Sequence, residues 1–488
     1  MSGRETGAIA GRARGVEERL GERADDLAQG GVLLTGATGF VGMELLARYL
    51  ERSERRVYAL VRGADRHEAA ARMQRTLHFL FGADHPYAER VVAVRGDITR
   101  PCLGLRGRRD ALAEEVSEIV HGAASISFEL GLEDSRAINV EGTRRVLAFA
   151  ERCAARGGLR RLSHISTAYV AGDHGGCFSE DDLDVGQRFR NAYEQSKFEA
   201  EGLVARARGR LPITVLRPSI VVGERDNGWT SSFNVLYWPL RAFARGAYVA
   251  LPARRSAPVD VVPVDYVADA ILYLSQAREA EGATFHLTAG AHTSSVGELV
   301  ELATAFFERP APYLLDPLVY RRVVHPLLVR SSRDARYRRA LERSEVFFPY
   351  FAARVRYDDR RSRVALRGSG IGPPPPLRVY FERLVEFALA AEWGRRQIPR
   401  AHAWKEVVEP SAGLAELFPD RVARSDRVSP AERVEPPDRV ARSERVEPPN
   451  RVESSSRVES SERVEPSHYD RWAMGVRSRR AAPLVPAG

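Results

Sequence analysis

The stretch GVLLTGATGFVG, Gly31 to Gly42, reads as a short apolar strand that runs into a glycine-punctuated turn and opens a helix. Glycines at 36, 39 and 42 suit three demands in turn. The first allows a tight turn, the second lets the backbone approach a pyrophosphate, and the third permits close helix–strand packing. A helix N-terminus placed there directs free N–H groups and its positive dipole end at phosphates. Thr35, Gly36, Thr38, Gly39, Phe40, Val41 and Gly42 are the residues that would face such a ligand. The competing reading is a tight turn with no ligand.

Outward from this loop, the runs RRVYALVR, RVVAVRGD, SEIVHGAA, RRLSHIST and PITVLRPS alternate with amphipathic stretches at Gly42–Glu51, Ser135–Glu151 and Ala192–Arg208. A helix near Val264–Gln276 and a short strand TFHLT continue the rhythm. Alternation of this kind predicts an α/β fold, a Rossmann-type doubly wound parallel sheet covered on both faces. The expected NAD(P)-binding domain spans 30–290, with substrate-side insertions at about 173–190 and 223–260. Residues 291–408 read as a smaller, mostly helical C-terminal substrate or lid region. There PYLLDPLVYRRVVHPLLVR and LRVYFERLVEFALAAEWG are apolar-rich helices around GPPPP. In the second, Val379, Phe381, Leu384, Val385, Ala388 and Leu389 approximate one stripe, which suits a core-facing helix. A lid over a greasy substrate and a peripheral membrane contact stay open as alternatives. Residues 1–29 are expected to form a flexible leader. In 409–488, Arg-Val recurs every six residues from 421 to 463 amid Pro, Ser and acids, a composition expected to be disordered.

The net charge of +9 and the pI near 9.6 could attract nucleic acid. The excess arginine is scattered among acids, however, so no nucleic-acid partner is expected. Three cysteines without metal spacing favour a reducing cytoplasm. No window approaches roughly 20 uninterrupted apolar residues, and the N-terminus lacks the apolar core of a signal peptide. The 11 histidines show no HExxH-type spacing, so no metal site is expected.

The second strand ends in YALVRGAD, with Arg62 where an acid for ribose hydroxyls would normally sit. An arginine there suits a 2′-phosphate and favours NADPH over NADH. Asp97 could accept from an adenine amino group or serve as a cap or turn residue. The stretch NAYEQSKFEAE places Tyr193 one helical turn before Lys197. Only Lys197 and Lys405 are lysines, so 72 of the 74 basic residues are arginine (74 − 2) and this lysine invites a specific explanation. A close ammonium stabilises a phenolate and lowers the tyrosine pKa, and it can reach ribose hydroxyls in a geometry that a planar guanidinium does not offer. HIST offers Ser166 and Thr167 as a third hydroxyl. Strand alternation sends the two to opposite faces, so only one should face the site.

Taken in order, TGATGFVG, GDIT, HGAA, INVEGT, HISTAYVAG, YEQSK and LRPSIVVG resemble the extended short-chain dehydrogenase/reductase superfamily over about residues 30 to 290. HISTAYVAG, RPSIVVGERDNGWTSSFN and VDVVPVDYVADAI look like the branch of fatty acyl-CoA reductases and carrier-system thioester reductase domains. The resemblance implies Thr167, Tyr193, Lys197 and Asn139 as the catalytic set, although an asparagine opening a helix can be only a cap. It also implies cofactor contacts from Ile98, Ala123, Ala124, Lys197, Pro218, Ser219 and Ile220. The implied activity is NADPH-dependent reduction of an acyl thioester, carried by CoA or an acyl carrier protein, to an aldehyde and, in a second cycle, an alcohol. A nucleotide-sugar epimerase or dehydratase, a hydroxysteroid-type dehydrogenase, and a non-enzymatic NADP-binding regulator are the alternatives.

Overall fold

A computed structural model describes residues 30–403, apart from 234, 332–337, 339–341, 343 and 344. The expected leader and the hexad tail lie outside the described residues. The core is a seven-stranded, wholly parallel sheet. Its strands are β1 (Gly31–Thr35), β2 (Val57–Val61), β3 (Val91–Arg95), β4 (Val116–His121), β5 (Arg161–Ile165), β6 (Ile213–Pro218) and β7 (Thr284–Leu287). Their spatial order is β7-β6-β5-β4-β1-β2-β3. The order reverses between β1 and β4, and a doubly wound sheet opens its ligand crevice at that point.

The strands are largely apolar because both faces are covered, although β4, β5, β6 and β7 also bury Glu118, Arg161, Arg217 and His286. Val32 and Leu34 join one core with helices α1 (Phe40–Arg52), α2 (Arg66–Phe81) and α5 (Val264–Gln276). Leu33 points the other way, into a core with α3 (Leu132–Arg156) and α4 (Ala192–Ala207). A third cluster joins the segment around Tyr237–Phe243 to α6 (Val296–Phe307) and α7 (Leu377–Ala390). Helix α7 also sends Phe387 and Ala390 into the first core, which fastens the C-terminal lobe to the sheet domain.

Two expectations for this lobe change. The buried face of α7 is Leu377, Tyr380, Phe381, Leu384, Val385, Phe387, Ala388 and Ala390, whereas Val379 lies 67% exposed. Val379, two residues after Leu377, stands about 200° around the helix from it, away from most of the buried face, and Leu389 is only partly buried. The stretch from Tyr313 is not helical throughout either. Tyr313–Leu315 forms a short strand beside Ala250–Pro252, and the helix begins only after Asp316, whose carboxylate accepts from the Leu318 and Val319 amides. Pro317 then occupies the first helical position, where its missing N–H costs nothing. Among the described residues no helix is long and apolar enough to cross a membrane.

Candidate functional site

At the end of β1, Gly36 has φ +81, and a Cβ there would lie 2.9 Å from the Ala123 amide nitrogen after β4. A Cβ on Gly42 would sit 2.0 Å from the Gly36 carbonyl oxygen, so α1 can pack this close only with glycine. Gly39 caps α1 with no side-chain hydrogen bond, and the first turn carries no acid. Thr38, Phe40 and Val41 are half-buried beside the exposed Gly39, as are Ala123, whose backbone lies against Gly36, and Ala124. The helix end thus keeps free amides for an anion, and the glycine cradle fits a dinucleotide pyrophosphate.

Beyond β2, Arg62 is exposed and its carbonyl accepts from Arg72 on α2 at 2.8 Å. Burial and then the Arg62 charge push the Arg72 guanidinium below its usual pKa. Next to them Arg66, Arg95, Arg106 and Arg108 line a cleft of about 190 Å³, with Arg95 anchored on the Gly63 carbonyl. Among the described residues none of Arg62, Arg66, Arg95, Arg106 and Arg108 forms an ion pair. Sequence reading singled out Arg62 alone. In a chain so rich in arginine, only the fold distinguishes this group. Asp97 accepts from the amide and hydroxyl of Thr99, both at 2.8 Å, which is the turn geometry. Ile98 is buried against Gly142 in the second core, and its carbonyl accepts from Arg145.

At the other end of the crevice, alternation along the chain separates Ser166 from Thr167. Ser166 donates to Glu201 at 2.5 Å, and Glu201 pairs with the buried Arg217. Thr167 turns the opposite way, to the Pro218 carbonyl at 3.4 Å and to the Tyr193 hydroxyl. Packing around the phenol pushes Tyr193 up to about 12, the Thr167 hydrogen bond lowers it, and the Glu194 charge raises it. Lys197 is buried and donates to the Ile165 carbonyl at 2.8 Å. Burial lowers its pKa to about 8, against the opposing pull of Glu201. The expected depression of the tyrosine by this lysine is therefore not seen, because desolvation dominates the phenol and the ammonium is engaged by a backbone carbonyl. The segment Pro218–Ile220 runs beside Thr167; Ser219 N–H donates to Leu287 O and Ile220 N–H to Asp260 O.

Asn139 is no helix cap, since it lies inside α3. Its amide nitrogen donates to Ser196 at 2.9 Å and to the Ser125 carbonyl at 3.0 Å, and its oxygen accepts from Ser125 N–H. Both donors are engaged, so Asn139 ties the loop after β4 to α4. A second tie escaped sequence reading. His121 joins Thr35 at 2.8 Å to Thr143 at 3.1 Å, and Thr143 donates to the Asn139 carbonyl. Burial, helped by the Lys197 charge, drops His121 to about 3, so the ring is neutral and carries one N–H. The histidine of HGAA was the available signal, but its partners are distant in sequence. Tyr169, two residues after Thr167, and Ile220 line an apolar cavity together with Val235, Leu236, Val259 and Phe351.

Several known proteins are similar to this chain. The family profile described as Male sterility protein, an NAD-binding family, matches residues 34–271. The crystal structure of the terminal R domain from the myxalamid PKS-NRPS biosynthetic pathway superposes with a TM-score of 0.65 at 30% identity, covering 74% of this chain and 91% of that one. Isonitrile lipopeptide synthase of Streptomyces coeruleorubidus is 35% identical over 281 residues, 55% of this chain and 18% of that protein. Probable fatty acyl-CoA reductase 5 of Arabidopsis thaliana is 25% identical over 353 residues, 57% of this chain and 70% of that protein. Curated relatives can be far longer: the chain spans 5%, 18% and 21% of the length of three of them.

Proposed function

Because the chain belongs to the extended short-chain dehydrogenase/reductase superfamily, in its thioester reductase and fatty acyl-CoA reductase branch, we propose that it reduces an acyl thioester at the expense of NADPH. The observation that carries this reading is the hydrogen bond of Thr167 to Tyr193, with Lys197 one turn further along the helix, in a chain whose β1–α1 turn is a glycine cradle. When bound, the cofactor supplies the hydride and its electron pair. Gly36, Gly39 and Gly42 with the first turn of α1 would hold its pyrophosphate, and Arg62 and Arg72 with the neighbouring arginines favour a 2′-phosphate.

The Thr167 and Tyr193 hydroxyls would hold the thioester carbonyl oxygen and stabilise the charge that develops on it. Tyr193 delivers its proton to that oxygen, giving a hemithioacetal. Lys197, buried one turn along the helix, favours the phenolate that remains. Collapse of the hemithioacetal breaks the carbon–sulfur bond, and the thiol and the aldehyde leave. One hydride and one proton enter per aldehyde formed, and a second cycle would give the alcohol. The sequence similarity to the R domain of a PKS-NRPS pathway favours a carrier-borne acyl group over free CoA. The test is NADPH oxidation by the purified chain over a panel of acyl-CoA, acyl-pantetheine and carrier-bound thioesters. Turnover of thioesters with release of one thiol per NADPH supports the proposal. Turnover confined to a sugar nucleotide or a sterol contradicts it.

A further inference from the structure

Tyr350 of the C-terminal lobe hydrogen-bonds the first turn of the helix that carries Tyr193. Its hydroxyl donates to Glu194 at 2.8 Å and accepts from Asn191 at 2.7 Å. Asn191 caps α4 and Glu194 lies in its first turn, so the two contacts bracket Tyr193. Glu194 has no exposed surface and is also paired with Arg190 at 3.1 Å, and the Arg190 guanidinium lies 5.4 Å above the Tyr350 ring. On its other side the ring stacks on Phe128 at 5.6 Å and 15°, and Phe128 in turn lies 5.7 Å from the ring of Tyr193. Tyr169, two residues after Thr167, meets the same ring edge-on at 5.4 Å.

The same Tyr350 ring stands in the wall of the apolar cavity. Tyr350, Phe347 and Phe351 all come from the segment 345–353 and stand in its wall, and about 50 Å³ remains free. Phe347 is held by stacking on Trp238 at 5.4 Å, and the Phe351 carbonyl accepts from Arg254 N–H. Asp260 is the one charged side chain lining the cavity among the described residues, and its carboxylate is engaged by Ala289 N–H and the Thr293 hydroxyl. Apart from the hydroxyls of Tyr169, Tyr350 and Tyr357, the other side chains among the described lining residues are apolar. Selection within the cavity rests largely on shape, and Tyr350, joined to Tyr193 through the Phe128 ring, is one of the side chains that set it.

We propose that Tyr350 is a specificity-determining and positioning residue for the reduction. Its ring limits the length of acyl chain admitted beside Tyr193, and its hydroxyl fixes the helix turn that presents Tyr193. This rests on the thioester-reductase reading. The phenylalanine variant separates the hydroxyl from the ring, and the alanine variant removes both.

The full chain and its Tyr350→Phe and Tyr350→Ala variants are compared on straight-chain acyl-pantetheines of graded length. NADPH oxidation and calorimetric acyl-pantetheine binding are both measured, with NADPH affinity and melting temperature as controls. Tyr350→Phe should lower kcat about tenfold, as expected for a lost hydrogen bond to a charged partner, with KM within about twofold and an unchanged length profile. Tyr350→Ala should move the preferred length upward by several carbons in both kcat/KM and affinity. Wild-type kinetics in the first variant together with an unshifted length profile in the second would overturn the proposal. If the wild type turns over no thioester, the thioester reading fails on its own, and the binding profile still decides Tyr350: an identical length dependence in Tyr350→Ala refutes it.

Discussion

Lys197 carries the sharpest residue-scale consequence. A buried lysine loses its proton more easily, and here burial outweighs the pull of Glu201 and brings its pKa down to about 8. If the ammonium is the form that supports the tyrosine and the cofactor ribose, kcat/KM for the free enzyme is highest below pH 8. Above pH 8 it falls, approaching tenfold per unit. Lys197→Arg keeps its charge across this range. It should lose the basic limb at pH 8 while lowering the plateau, because the guanidinium does not reproduce the ammonium's geometry. A basic limb at the same pH in the variant would remove Lys197 from this role. Much of this site was legible in the sequence. Helical spacing paired Tyr193 with Lys197, and strand alternation implied that only one of Ser166 and Thr167 faces it. The distant partners were not legible. His121, Thr143 and Tyr350 act through contacts 22 to 159 residues away along the chain, which no local pattern records.

At the scale of elements, the β1–turn–α1 unit makes the most specific demand on sequence. A methyl group at position 42 would meet the Gly36 carbonyl at 2.0 Å, backbone against backbone, so the helix must move away from the strand. Gly42→Ala should lower NADPH affinity by at least tenfold and cost a few kcal/mol of stability, of the order seen when strain is forced on a functional turn. Titration of cofactor binding and a denaturant melt measure the two effects; unchanged affinity would mean that the cradle does not hold the pyrophosphate. The long elements were readable because hydrophobic period and turn residues agree along them: buried strands, amphipathic helices, and glycine between. Short ones escape such reading. Tyr313–Leu315 is three residues long and exists because Ala250–Pro252 lies beside it, a partner invisible to any window of sequence. Val379 sits about 160° around the helix from Phe381 and so off the stripe, and the structure leaves it exposed while Leu377 and Tyr380 are buried.

Over the whole molecule, a buried knot of charge ties the C-terminal segment to the sheet domain. Arg400 reaches Glu44 on α1 at 3.0 Å and Glu224 at 2.8 Å, while Arg48 contacts Glu44 and meets Asp269 at 3.0 Å. Removing Arg400 leaves buried carboxylates short of a counter-charge, so Arg400→Ala should cost roughly 3–5 kcal/mol. A shift in the denaturation midpoint of both the sheet domain and the C-terminal lobe would show that they unfold together. No shift would mean that the knot contributes nothing. Composition could not reveal this knot, because arginine is everywhere in the chain and burial alone marks these copies out.

The central claim, that hydride passes from the cofactor to a thioester carbonyl, is tested most directly by isotope transfer. The chain is incubated with an acyl thioester and NADPH deuterated at nicotinamide C4, and the products are read by mass spectrometry. The account predicts one deuterium on C1 of the aldehyde, two on C1 of any alcohol, and one equivalent of free thiol. Thiol release without deuterium in the carbonyl product, or deuterium transferred only to a substrate that carries no thioester, would contradict it.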